Sequence, residues 1–313
     1  MKNSEYKKWL FINTSVVALW GSQYLWVAKI GYAVPPFAFA ALRFFLAGMV
    51  LLFFNWKIFA KTEIKMKKNH LMKILTLSVL GLFVGTMAMI FGVNLANTVV
   101  VSTVININSV LVIFLASILI GEKIKTFQKI GIFIAFLGIV LIALNGQSFT
   151  ALTESEYFFG ALIAFVAAFF ISFYTIYIKQ YVEKYGGLTV TQLGLMPACF
   201  LGFIISMFFE NWDFVFDLSF VQWLYIVLFG VITGLTFSLW ASSIKHLGSS
   251  GAASFKIGIP FFATIYSLLF LNEKLTIWIF LGLILVISGM LMCHLGKISK
   301  KKKGDVVFEY EEF

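Results

Sequence analysis

Acidic residues are scarce in this chain, with 14 Asp and Glu against 24 Lys and Arg in 313 residues, and none lies deep inside an apolar run. The three histidines, His70, His246 and His294, fall near the ends of expected helices. These absences leave no acid–base pair for catalysis and no conventional Asp, Glu or His proton relay within a membrane. The only two cysteines, Cys199 and Cys293, lie in apolar segments without metal-ligand spacing and read as small buried hydrophobes. No metal and no cofactor is expected. Without a Gly-rich phosphate loop an ATP-driven pump is excluded for this chain alone, and an enzymatic reading finds little support. Arg43 is the sole arginine, and the lysines flank hydrophobic runs without interleaved aromatics, which excludes a nucleic-acid surface.

What is abundant is apolar: 61% of residues are hydrophobic, 18% aromatic and only 12% charged, with mean hydropathy +0.96. One or two soluble cores cannot hide that much apolar surface, so the class is an all-α polytopic membrane protein whose solvent is the lipid bilayer. Ten runs are long enough to be spans: residues 9–27, 35–54, 71–93, 99–120, 127–144, 157–181, 188–209, 221–244, 249–271 and 277–293. The first resembles a signal peptide only in its flanking charge and is expected to stay in the mature protein. The expected organisation is an N-terminus (1–8), a first five-helix unit (9–145), a linker (146–156), a second unit (157–294) and a tail (295–313).

Lysines collect on alternate loops, around Lys57 to Lys73, Lys123 to Lys129, Lys179 to Lys184, Lys245 and Lys297 to Lys303, together with Lys2, Lys7 and Lys8. By the positive-inside rule both termini are cytoplasmic, in a multi-pass protein of the cell membrane. The stretch Ser109–Gly138 returns as Pro260–Gly289: Glu122-Lys123, Gly131 and Gly138 fall on Glu273-Lys274, Gly282 and Gly289. Around Trp20 to Lys29, the first helix likewise matches the sixth around Phe170 to Lys179. Five spans per half put the copies in opposite orientations, so the expectation is ten transmembrane helices in two inverted five-helix repeats.

The Trp20-Gly21 pair, Ala41-Leu42-Arg43-Phe44, the two Glu-Lys turns with their trailing glycines, and Pro260 are the residues on which the chain resembles the EamA-type family of the drug/metabolite transporter superfamily. That resemblance covers nearly everything from Trp9 to Met292. It implies ten helices in two inverted halves and movement of small metabolites, often export of amino acids or related compounds. Where the family often has a proline in the fourth helix this chain has Ser109, which leaves a kink there open.

Arg43 sits about 12 Å inside a core about 30 Å thick and must meet water, a carbonyl or an anion. It either clamps helices across the bundle or edges a cavity. Lys256, at similar depth and four residues before Pro260, either holds an anionic group or bonds carbonyls freed by that proline. Ser102, Asn106, Ser109 and Ser117 share one helical face, as do Lys256, Pro260, Thr264 and Ser267, either as glue between helices or as lining of a shared cavity. Trp20, Gln23 and Tyr24, then Tyr174, Tyr177 and Tyr181, then Thr233, Thr236 and Trp240 form three further faces, either lining or ordinary packing and interfacial belt; Tyr181, near a helix end, reads as belt.

The expected function is a secondary transporter of a small polar organic metabolite, an amino acid or organic acid. Lys256 would hold its anionic group, Asn106 and Gln23 would orient it, Trp20, Tyr24 and Trp240 would enclose it, and Tyr174 and Ser109 would complete the lining. Arg43 and Pro260 stand at the cavity edge or in gating contacts. Outward direction follows from the family resemblance. The alternatives are efflux of cationic or lipophilic compounds, or a sensor or scaffold read through the Lys-rich and then acidic tail. Small-residue faces suit internal packing as well as a homodimer.

Overall fold

In hydrocarbon a backbone amide has no water to bond, so apolar runs of this length must satisfy their amides internally, and helices do so. The computed structural model describes residues 3–31, 33–61, 66–119, 121, 123–146, 155–247 and 255–298, and all its elements are helical. Glu122, residues 147–154 of the expected linker, the start of the ninth expected span at Ser249 and the tail from residue 299 lie outside the described residues.

The helices are α1 (Asn3–Ile30), α2 (Pro36–Lys61), α3 (Lys68–Ser78), a π turn (Val79–Phe83), α4 (Val84–Leu95), α5 (Thr98–Asn106), α6 (Asn108–Leu119) and α7 (Thr126–Leu144). They continue with α8 (Glu156–Tyr185), α9 (Gly187–Phe209), the short α10 (Phe214–Asp217), α11 (Phe220–Leu247), a 3₁₀ turn (Phe255–Gly258), α12 (Ile259–Phe270) and α13 (Ile277–Ile298). Among the described residues eight segments are long and apolar enough to cross a membrane, including 36–54, 68–95, 98–119 and 277–295. Two further expected spans are helical as well: α1, diluted by Asn13, Ser22 and Gln23, and the shorter apolar stretch Phe255–Phe270. The chain is a multi-pass membrane protein.

Two of the expected spans are interrupted. The fourth breaks at Ile107, whose N–H reaches back to Val104 O at 3.2 Å while Val110 N–H starts a new helix on Ile107 O at 2.8 Å. No proline is needed. Asn106 Nδ2 donates to Ser102 O (2.7 Å), Asn108 Nδ2 to Ile105 O (3.0 Å) and Ser109 Oγ to Asn106 O (3.1 Å), so side chains take up carbonyls around the break. Conversely, Pro260 does not kink a continuous helix. It lies in the first turn of α12, where a missing N–H costs nothing, and Lys256 belongs to the 3₁₀ turn ahead of it rather than to the middle of an α-helix.

The repeated glycines meet each other. A Cβ built on Gly131 would lie 2.8 Å from Gly289 O, and one on Gly138 2.7 Å from Gly282 O, so α7 and α13 pack backbone to backbone at both glycine crossings. Elsewhere α1 packs on α11 and α12, α8 on α4, α5 and α6, and α2 on α9 and α11. At the centre α5 is buried along its entire length. Two acids cap helices across the bundle: Glu210 accepts the Phe37 and Ala38 amides of α2 (2.9 and 2.8 Å), and Glu273 accepts the Thr98 amide of α5 (3.0 Å) and the Ser267 hydroxyl (2.6 Å).

Candidate substrate site along the first helix

Trp20, Gln23 and Tyr24 recur at helical spacing, and α1 presents them to different neighbours. Gln23 Oε1 accepts from Arg43 (2.9 Å), whose other nitrogens donate to Thr86 Oγ1 on α4 (3.0 Å) and Thr233 Oγ1 on α11 (3.3 Å). The guanidinium lies 4.4 Å from the centroid of the Phe229 ring. Arg43 is thus 7% exposed, tied to α1, α4 and α11 by neutral oxygens and laid against an aromatic face. Each of the three guanidinium nitrogens donates to an oxygen of a different neighbouring helix.

One turn back along α1, Trp20 donates from Nε1 to Thr236 Oγ1 at 2.9 Å, and its ring meets Trp240 at 4.9 Å between centroids with the planes 49° apart. Lys256 Nζ stands over both rings, 4.8 Å from the centroid of Trp240 and 5.2 Å from that of Trp20. Among the described residues no acid pairs with this ammonium, and it does not bond the carbonyls that Pro260 was expected to free. Pro260 O instead accepts the Thr264 hydroxyl at 2.8 Å. Trp20, Trp240 and Lys256 are each half-buried, so this cluster is accessible, unlike the sealed Arg43.

Tyr24 and Asn106 form a third, buried pair, Asn106 Nδ2 donating to the Tyr24 hydroxyl at 3.2 Å, with Ser109 attached through the Asn106 carbonyl. Gln23 and Asn106 are therefore engaged inside the protein. Tyr174 does not join these residues. It packs on Gly81 of the π turn, beside a separate buried cluster of Ile74, Ile178, Tyr181 and Val190. Tyr181, expected as interfacial belt, is buried in that cluster and its ring meets that of His70 at 5.4 Å.

Sequence reasoning missed Thr86 and Phe229 as partners of Arg43, and both carboxylate caps. The caps had a signal, since Glu210 and Glu273 each follow an apolar helix directly, but which helix they would serve had none. Also unforeseen is an apolar groove of about 720 Å³ between α2 and α9, lined by Phe45, Met49, Met196, Cys199 and Phe200 and containing none of the expected site residues. Among the described residues no His, Cys, Asp and Glu cluster could hold a metal.

The seam of α1 against α11 and α12 explains the Trp20-Gly21 pair. The indole turns to α11, and Gly21 admits α12 so closely that an added Cβ would meet the Phe262 Cβ at 2.8 Å. Comparison with known proteins agrees with a membrane transporter built this way. The model of the EamA-like transporter family matches residues 7–144 and again 158–294. An uncharacterized transporter, YoaV, of Bacillus subtilis strain 168 is 25% identical over 287 residues, covering 89% of this chain and 94% of its own length. An uncharacterized transporter of Archaeoglobus fulgidus is 26% identical over 291 residues, 91% of this chain and 97% of its own. A solved crystal structure shares the fold, with TM-score 0.66 at 20% identity over 95% of this chain and 99% of that one. With both halves of the chain matched by one family model, the protein belongs to the EamA-like transporter family.

Proposed function

We propose that this membrane transporter carries a small organic metabolite bearing an anionic group, an amino acid or organic acid, held at Lys256 between Trp20 and Trp240. The observation that carries the reading is the contrast between the two cations: Arg43 is buried and donates from each of its three nitrogens, to Gln23, Thr86 and Thr233, whereas Lys256 is half-buried, rests on aromatic faces and has no acidic partner among the described residues. A cation at such a position attracts an anion, and the two indoles offer the apolar surface that encloses a carbon skeleton.

The transport cycle in this reading is rocking of two inverted five-helix halves, ten spans in all, about this site, with both termini cytoplasmic in the cell membrane and the substrate moving outward. Support comes from the double family match and from helix packing that keeps its pattern when the halves are exchanged: α2 faces α9, α7 faces α13, and α1 on α11 and α12 corresponds to α8 on α4 and α5–α6. The glycine contacts Gly131–Gly289 and Gly138–Gly282 map onto each other under the same exchange. The interruptions at Ile107 and at Gly258 fall at corresponding positions of the two copies.

The test is thermal stabilisation of the detergent-purified protein by anionic, zwitterionic and cationic metabolites, since a ligand that binds only the folded state raises its apparent stability. Carboxylates are expected to stabilise the wild type and to lose at least about tenfold in affinity in Lys256→Gln, the size of one charge-assisted hydrogen bond. Equal responses of the two proteins would refute the site.

A further inference from the structure

Trp20 and Trp240 make two walls of an aromatic box. The first indole is fixed in its plane by the bond from Nε1 to Thr236 Oγ1, and Thr236 is itself anchored by donating to Ile232 O at 2.7 Å. Phe237 stands edge-on to Trp20 at 6.4 Å and supports it from α11. The second indole leans toward the first at 49°, so both π faces converge on one point, and Lys256 Nζ occupies that point. Converging aromatic faces about 5 Å from a charge centre are the geometry that recognises organic cations, quaternary ammonium above all. Here a tethered cation already fills it.

We infer that Lys256 is the residue that sets the charge preference of the site: it occupies the Trp20–Trp240 box with the chain's own ammonium, excluding cationic organic compounds that the box would otherwise bind. This deepens the proposed function and rests on its reading that the substrate is held here. Exclusion works twice. The ammonium takes up the π faces, so an incoming cation must displace a covalently attached competitor, and the charge repels that cation at close range. An anion meets neither obstacle, because it binds the ammonium on the side away from the rings. Removing the lysine side chain therefore vacates a preformed cation site.

The experiment measures binding of tetramethylammonium and of succinate to the full-length purified protein, as wild type, Lys256→Ala and Lys256→Ala/Trp240→Leu, by thermal stabilisation. Lys256→Ala is expected to gain at least about tenfold in tetramethylammonium affinity over wild type, and the double variant to lose that gain. Should Lys256→Ala not fold, Lys256→Gln, which also removes the charge, carries the same expectation. Wild type binding tetramethylammonium as tightly as the variants, no gain in a folded variant, or a gain that survives Trp240→Leu would each overturn the inference. Succinate separates the two readings. If it fails to stabilise wild type while the cation gain appears, the anionic substrate falls and the aromatic box stands; if it stabilises wild type and no cation gain appears, the box falls and the anion site stands.

Discussion

At the scale of single residues, the two membrane-embedded cations solve one problem differently. Arg43 spreads its charge over three neutral oxygens and a phenyl face, and the planar fork of a guanidinium suits that arrangement where an ammonium does not. Arg43→Leu strands the side chains of Gln23, Thr86 and Thr233 and is expected to cost about 2–4 kcal/mol, seen as a lowered thermal midpoint in detergent. Arg43→Lys should fall between, and its folded fraction should still be stabilised by the ligands that stabilise wild type; loss of that response would move Arg43 into the binding site. The sequence made both cations visible by their depth, and Trp20 and Trp240 by their type. It could not pair them, because helical spacing says which residues share a face and not which neighbour the face meets. Tyr174 shows this limit: it shares a face with Tyr177 and Tyr181, but that part of α8 packs on α3 and the π turn, away from Trp20.

At the scale of helices, the ends and the close crossings carry the architecture. Long apolar runs made most of the spans legible, since hydrocarbon leaves a backbone few alternatives. Interruptions were not legible through proline alone. Ile107 breaks a helix that has no proline, with Asn106, Asn108 and Ser109 supplying the bonds, while Pro260 starts a helix rather than bending one. The glycine repeat was the more reliable text, since its four members touch in reciprocal pairs. Gly138→Val forces α7 off α13 against Gly282 O and Val286 and is expected to destabilise by roughly 1–3 kcal/mol, as overpacking does, with a lower yield of folded protein in size-exclusion chromatography. Glu273→Gln weakens the cap on α5 and should cost about 1–2 kcal/mol, whereas Lys274→Gln, at an exposed position, should stay within about 0.5 kcal/mol in the same thermal assay.

At the scale of the whole molecule, the central claim is that Lys256 marks a site which faces the two sides of the membrane in turn. A rigid scaffold or a sensor with the same helices has no reason to expose one half-buried position to both compartments, whereas a transporter working by alternating access must. The direct measurement is labelling of Lys256→Cys, with Cys199 and Cys293 replaced by serine, by a membrane-impermeant thiol reagent added to either face of sealed vesicles. The account predicts modification from both faces. Modification from one face only, under every ligand condition, would contradict it.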